Sequence, residues 1–110
     1  MSDEKKKKPR KVFPFEMTVT LRKTITLGKG PDATDYDEIP LREPDVEELS
    51  QFFKNVQKMN AIDSVRSLIS AVSGVPISVI AKMGTTDFWV AQEYVTSFCT
   101  PPDEDDPEGN

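Results

Sequence analysis

The side chains best suited to chemistry in this sequence are carboxylates, a single thiol and a run of lysines. Asp35, Asp37 and Glu38 lie close enough together to suggest a divalent-cation loop. They lack the central glycine and spaced final glutamate such a loop needs, so they read as a solvated acidic segment. Cys99 is the only cysteine and histidine is absent. No imidazole can activate that thiol, and the usual ligand sets of zinc, haem and iron–sulfur centres are missing. Near the end of an apolar helix, Cys99 reads as a small packing residue, and one unpaired cysteine suits a reducing cytoplasm. There is no glycine-rich phosphate loop and no catalytic motif. The expectation is a protein without catalytic residues, metal or cofactor, and without a small-molecule substrate, acting by contact with another protein.

Charge is distributed unevenly. Among 110 residues, 14 Lys and Arg stand against 19 Asp and Glu, a formal charge of −5 that argues against a broad nucleic-acid surface. Residues 1–11 collect Lys5 to Lys8, Arg10 and Lys11 with hardly an apolar side chain, and residues 100–110 collect Asp103, Glu104, Asp105, Asp106 and Glu108. Both segments are expected to be disordered, leaving residues 12–99 as one small α+β domain. No apolar run approaches the ~18–20 residues of a membrane span, and the start has no apolar signal region.

The elements follow from periodicity. Met17, Val19, Leu21, Ile25 and Leu27 alternate with Glu16, Thr18, Thr20, Arg22, Thr24 and Thr26, broken only at Lys23. That period of two predicts a half-buried strand or two strands meeting at a bend. Gly28 to Asp32 is turn chemistry, and Tyr36 to Arg42 is expected to pair back, with Pro40 at an edge. Pro44 is expected to open a first helix with Val46, Leu49, Phe52, Phe53 and Val56 in one stripe. Asn60 is expected to cap a second, bearing Ala61, Ile62, Val65, Leu68, Ile69 and Val72, with Gly74 stopping it. Pro76 to about Lys82 predicts a short third helix closed by Gly84. Thr85 or Thr86 is expected to cap a fourth, with Asp87 in its first turn and Phe88, Ala91, Val95 and Phe98 inward. The predicted fold is a short antiparallel β-hairpin followed by a small bundle of about four helices.

Aromatic residues left over from these stripes are the candidate contact groups. Trp89 and Tyr94 fall off the inner face of the last helix, and Phe52 and Phe53 cannot both point into one small core. Phe53, Trp89 and Tyr94 are therefore the expected partner-binding residues. The alternative is that Trp89 packs on the sheet and Tyr94 on a neighbouring helix.

Four segments in order carry a resemblance. They are Val19-Thr-Leu-Arg-Lys-Thr-Ile-Thr-Leu-Gly28, Ile39-Pro-Leu-Arg-Glu-Pro-Asp45, Leu68-Ile-Ser-Ala-Val-Ser-Gly-Val-Pro76 with Val79, and the Asp-led helix from Asp87 to Phe98. Together, over roughly Met17 to Phe98, they resemble the tail assembly chaperones of long-tailed bacteriophages, specifically the group found in Mu-like prophages. The loop Lys29 to Asp35 looks longer than usual for that group, and the charged ends depart from its pattern.

The resemblance implies a protein made in the host bacterial cytoplasm and absent from the mature virion. It implies binding to the long, helical, aggregation-prone tape measure protein and help for tail tube protein polymerising around it. A second, frameshifted product is common among such proteins, and a homo-oligomer is compatible with them. Two other readings compete: a structural tail protein retained in the virion, and a small nucleic-acid-associated regulator using the basic arm.

Overall fold

The computed structural model describes residues 13–101, so the basic arm and residues 102–110 lie outside the described residues, together with the disorder expected of them. Strand β1 (Glu16–Leu27) pairs antiparallel with β2 (Thr34–Arg42), and four helices follow: α1 (Val46–Val56), α2 (Ala61–Ser73), α3 (Ile77–Ile80) and α4 (Thr85–Thr96). This is the α+β hairpin-and-helices arrangement read from the sequence. No helix among the described residues is long and apolar enough to cross a membrane.

The alternation in β1 buries Val19, Leu21 and Ile25 and leaves its threonines and Arg22 outside. Gly28 and Gly30 adopt φ of 94° and 64°, a left-handed conformation that favours glycine, before a 3-10 turn at Gly30–Asp32. The ladder is regular from Glu16↔Arg42 to Thr20↔Glu38, then resumes at Ile25↔Tyr36. Residues 21–24 of β1 therefore stand against Asp37 alone, a wide bulge at the polar break around Lys23. On β2 the inward set changes parity across the bulge, from Ile39 and Leu41 to the half-buried Tyr36. Asp35 and Asp37 have a local role here: they accept hydrogen bonds from the Thr26 and Thr24 hydroxyls across the hairpin.

Helix α1 starts two residues later than its proline suggests, at Val46. Pro44 lies outside the helix, and Asp45 is the cap, its carboxylate accepting the Glu48 N–H at 2.8 Å while the Glu48 carboxylate accepts the Asp45 N–H at 3.0 Å. Proline has no side-chain acceptor and cannot do this. Arg42 at the end of β2 forks onto the same Glu48 at 2.8 and 2.7 Å, which locks the helix entry to the sheet. That guanidinium, with the Asp45 N–H, holds the Glu48 carboxyl below its ordinary pKa in spite of partial burial.

Helix α2 is the central element, packed on α1, α3, α4 and β2. Asn60 caps it as expected, accepting from Asp63 N–H at 2.8 Å, and Gly74 ends it at φ 73°. Val65, Leu68, Ile69 and Val72 are buried as expected, but Ala61 and Ile62 at the start of the helix are exposed, and Ser64 is the buried residue of that first turn. Pro76 is the cap of α3, not its first residue. Gly84 caps α4, so Thr85 and Thr86 fall inside the helix and lose their expected capping role.

The inner face of α4 is wider than its four expected residues. Phe88, Ala91 and Val95 are buried, and Tyr94 joins them at 0% exposure. Its hydroxyl lies 2.7 Å from both the Pro14 and Phe15 carbonyls, sharing one proton between them, and its ring meets Phe13 and Phe98 edge-on. Tyr94 is therefore a core residue, which corrects its assignment as a contact group. At the other end of α4 the buried Asp87 carboxylate accepts the Arg22 N–H of the bulge at 2.9 Å. Helix polarity alone does not explain this aspartate.

Asp87→Ala leaves the Arg22 amide without its acceptor and is expected to cost about 1–3 kcal/mol in urea unfolding. Burial pushes the Tyr94 hydroxyl above its ordinary value of 10.0, with Glu43 and Glu16 adding to the shift. An unfolded tyrosine ionises near that value while the folded one keeps its proton, so this contribution is intact below about pH 10 and is lost as pH rises further. Tyr94→Phe should cost about 1 kcal/mol near neutrality and flatten the alkaline fall in stability, as read from unfolding midpoints across pH.

Candidate partner-binding surface

Adjacent residues on a helix point about 100° apart, so an aromatic pair at the margin of a core must divide. Phe52 is buried while Phe53 is 47% exposed, and Phe88 is buried while Trp89 is 51% exposed. Each outer ring leans edge-on against its buried neighbour, with centroids 5.7 Å apart for Phe52 and Phe53 and 5.4 Å for Phe88 and Trp89. A ring buttressed in this way loses less rotamer freedom on contact, which favours its use as an anchor. Val90 extends the exposed apolar surface beside Trp89.

The structure does not bring the three expected contact residues together. Phe53 sits on α1 and Trp89 on α4, with α2 packed against both helices, while Tyr94 faces inward. Periodicity assigned Tyr94 off the inner face because the apolar set of α4 was drawn too narrowly. Its neighbour Phe98 is only partly buried, and Tyr94 fills the space toward Phe13.

A second feature escaped the sequence reading. Between the β1 bulge and the start of α4 lies an open cleft of about 660 Å³, lined by Arg22, Lys23 and Lys82 together with Thr85 and Thr86. None of these three cations is in an ion pair among the described residues. Asp87, the one carboxylate among the described residues that line the cleft, is committed to the Arg22 amide. Thr85 and Thr86 lie four and three residues before Trp89, so the cleft rim and the indole share one helix surface. Nothing in the strand alternation signals this grouping, because the bulge turns Arg22 and Lys23 toward a residue far along the chain.

This surface can hold a segment that carries both apolar and acidic side chains. No group of three or more metal-binding side chains occurs among the described residues. Burial pushes the Cys99 thiol above its ordinary pKa, and its Sγ lies 3.6 Å from the Val95 carbonyl, an arrangement that keeps it protonated.

Exposure separates the two aromatic residues of α4 experimentally. Trp89→Ala is expected to change stability by less than about 1 kcal/mol, whereas Tyr94→Ala opens the core and should cost about 3–5 kcal/mol. Thermal or urea melts of the two variants, compared directly, check this.

Residues 18–100 match the model of a family described as phage tail assembly chaperone proteins, E, or 41 or 14. No curated protein and no solved structure gives a match. The family model covers all four helices and the hairpin except its first two residues, and includes the bulge, the cleft and both aromatic pairs. The chain belongs to the phage tail assembly chaperone family.

Proposed function

We propose that this protein binds the tape measure protein of its phage, keeps that protein soluble, and promotes polymerisation of the tail tube protein around it. The family match supports a role in tail assembly, and the observation that carries the finer reading is the half-exposed Trp89 on a surface shared with a basic cleft whose cations form no ion pair among the described residues. A long helical partner presents apolar stripes that aggregate when left uncovered, and an aromatic anchor with a charged rim is the chemistry that covers them reversibly. Arg22, Lys23 and Lys82 would fix the register of acidic positions beside such a stripe. The protein acts by contact and not by catalysis, in the host cytoplasm, and leaves before the virion is complete.

Co-expression with the tape measure reading frame of the same phage tests this. The expected result is a soluble complex that co-purifies, weakened at least about tenfold by Trp89→Glu and made more salt-sensitive by its dependence on the cleft cations. A tape measure protein equally soluble with and without the chain would overturn the reading. Mass spectrometry of purified particles separates an assembly factor from a structural component, and the expected outcome is that the chain is missing from them.

A further inference from the structure

The six cations of residues 5–11 and the five carboxylates of residues 103–108 have no part in the reading above, yet the fold starts both segments from one point. Phe13, where the described residues begin, meets the Tyr94 ring with centroids 6.0 Å apart, and Phe98, three residues before they end, meets it at 5.2 Å. The Tyr94 hydroxyl lies 2.7 Å from the Pro14 and Phe15 carbonyls, so hydrogen bonds as well as packing hold the first of these roots. Lys11 stands two residues before Phe13 and Asp103 five residues after Phe98, at most about 7 and 18 Å of extended chain. The first carboxylate and the nearest cation are therefore tethered to the same buried side chain.

Their charges are opposite and nearly equal. Residues 5–11 hold Lys5 to Lys8, Arg10 and Lys11 with no carboxylate, and residues 103–108 hold Asp103, Glu104, Asp105, Asp106 and Glu108 with no cation. Tethers this short give an effective concentration on the order of millimolar, so the two can attract each other without a folded interface. The basic cleft is the other surface that could take these carboxylates, and distance decides against it. It opens at Thr85, and Thr96 at the far end of α4 is about 16 Å away along the helix, beyond the ~10 Å Debye length at 0.1 M salt. The cleft also offers three cations where the arm offers six. We propose that residues 103–108 pair with residues 5–11 of the same chain and so withhold the basic arm from nucleic-acid phosphates. A free arm of this charge binds a DNA duplex by releasing counterions, and the tethered carboxylates compete for the same cations. The pairing does not depend on what Trp89 binds, and it leaves the cleft open to a partner.

Two measurements on the full chain test this. In the first, binding of a short labelled DNA duplex is compared between the unchanged chain and one carrying Asp103→Asn, Glu104→Gln, Asp105→Asn, Asp106→Asn and Glu108→Gln. At about 50 mM salt the neutralised chain is expected to bind at least about tenfold more tightly, with the difference closing toward about 0.5 M. Replacing the arm cations by glutamine should abolish the gain, whereas Lys23→Gln with Lys82→Gln should leave it in place. Equal binding by the two chains overturns the proposal, and so does a gain that disappears with the cleft pair. In the second, carbodiimide cross-linking of a mixture of isotopically light and heavy protein is read by mass spectrometry. The expected joints run from residues 103–108 to Lys5 to Lys8 or Lys11, within one isotope. Joints to Lys23 or Lys82 instead, joints equally frequent between light and heavy chains, or a gain in DNA binding without any arm joint each overturn it, the last because net charge alone would then explain the gain.

Discussion

A two-stranded hairpin has one apolar face and little else to hold it in water, and in this protein α2 and α4 cover that face, with α4 fastened at both ends. Asp87 accepts the Arg22 amide at the start of α4, and the Tyr94 hydroxyl reaches the Pro14 and Phe15 carbonyls near its end. Between these two ties lie Phe88 and Ala91, with Val95 just beyond the second, all buried. Because burial itself is non-directional, it does not fix where a helix sits along a strand, whereas two hydrogen bonds to chosen backbone groups do. The rest of the domain is arranged around that fixed pair. Helix α2 fills the space between it and α1, and the Arg42–Glu48 fork ties α1 back to the end of β2.

The same ties shape the surface. The bulge in β1 projects Arg22 and Lys23 toward the start of α4, and Asp87 holds that bulge in place. A helix start that lacks a side-chain cap therefore opens onto a basic cleft, with an indole one turn along. Neither aromatic pair is placed wholly inside or wholly outside. In each pair the buried ring packs edge-on against the exposed one, so a small domain with thin reserves of core shares one aromatic contact between its interior and its surface.

A family of tail assembly chaperones implies protein partners, and this chain distributes its exposed apolar surface over two helices, each packed against α2. Trp89 and Val90 lie on α4, and Val46, Phe53 and Val56 on α1.

Much of this was legible in the residues. The alternation in β1 on either side of its break at Lys23, the Asn60 cap, the Gly74 stop and the positive-φ glycines of the hairpin turn are local effects of side-chain period and backbone sterics, and each appears where the sequence places it. The division of Phe52 from Phe53 follows from helix geometry alone, as does the exposure of Trp89. Tyr94 could not be placed in this way, because its burial depends on residues near the opposite end of the described chain, Phe13 to Phe15. The cleft was hidden for the same reason: the strand pattern records which residues of β1 face the core, but not that an extra stretch opposite Asp37 folds toward α4. Sequence settled what each element would be, since hydrogen bonding within an element and its apolar period are short-range. Tertiary structure decided which exposed groups share a surface, since that depends on contacts between segments some 65 to 80 residues apart.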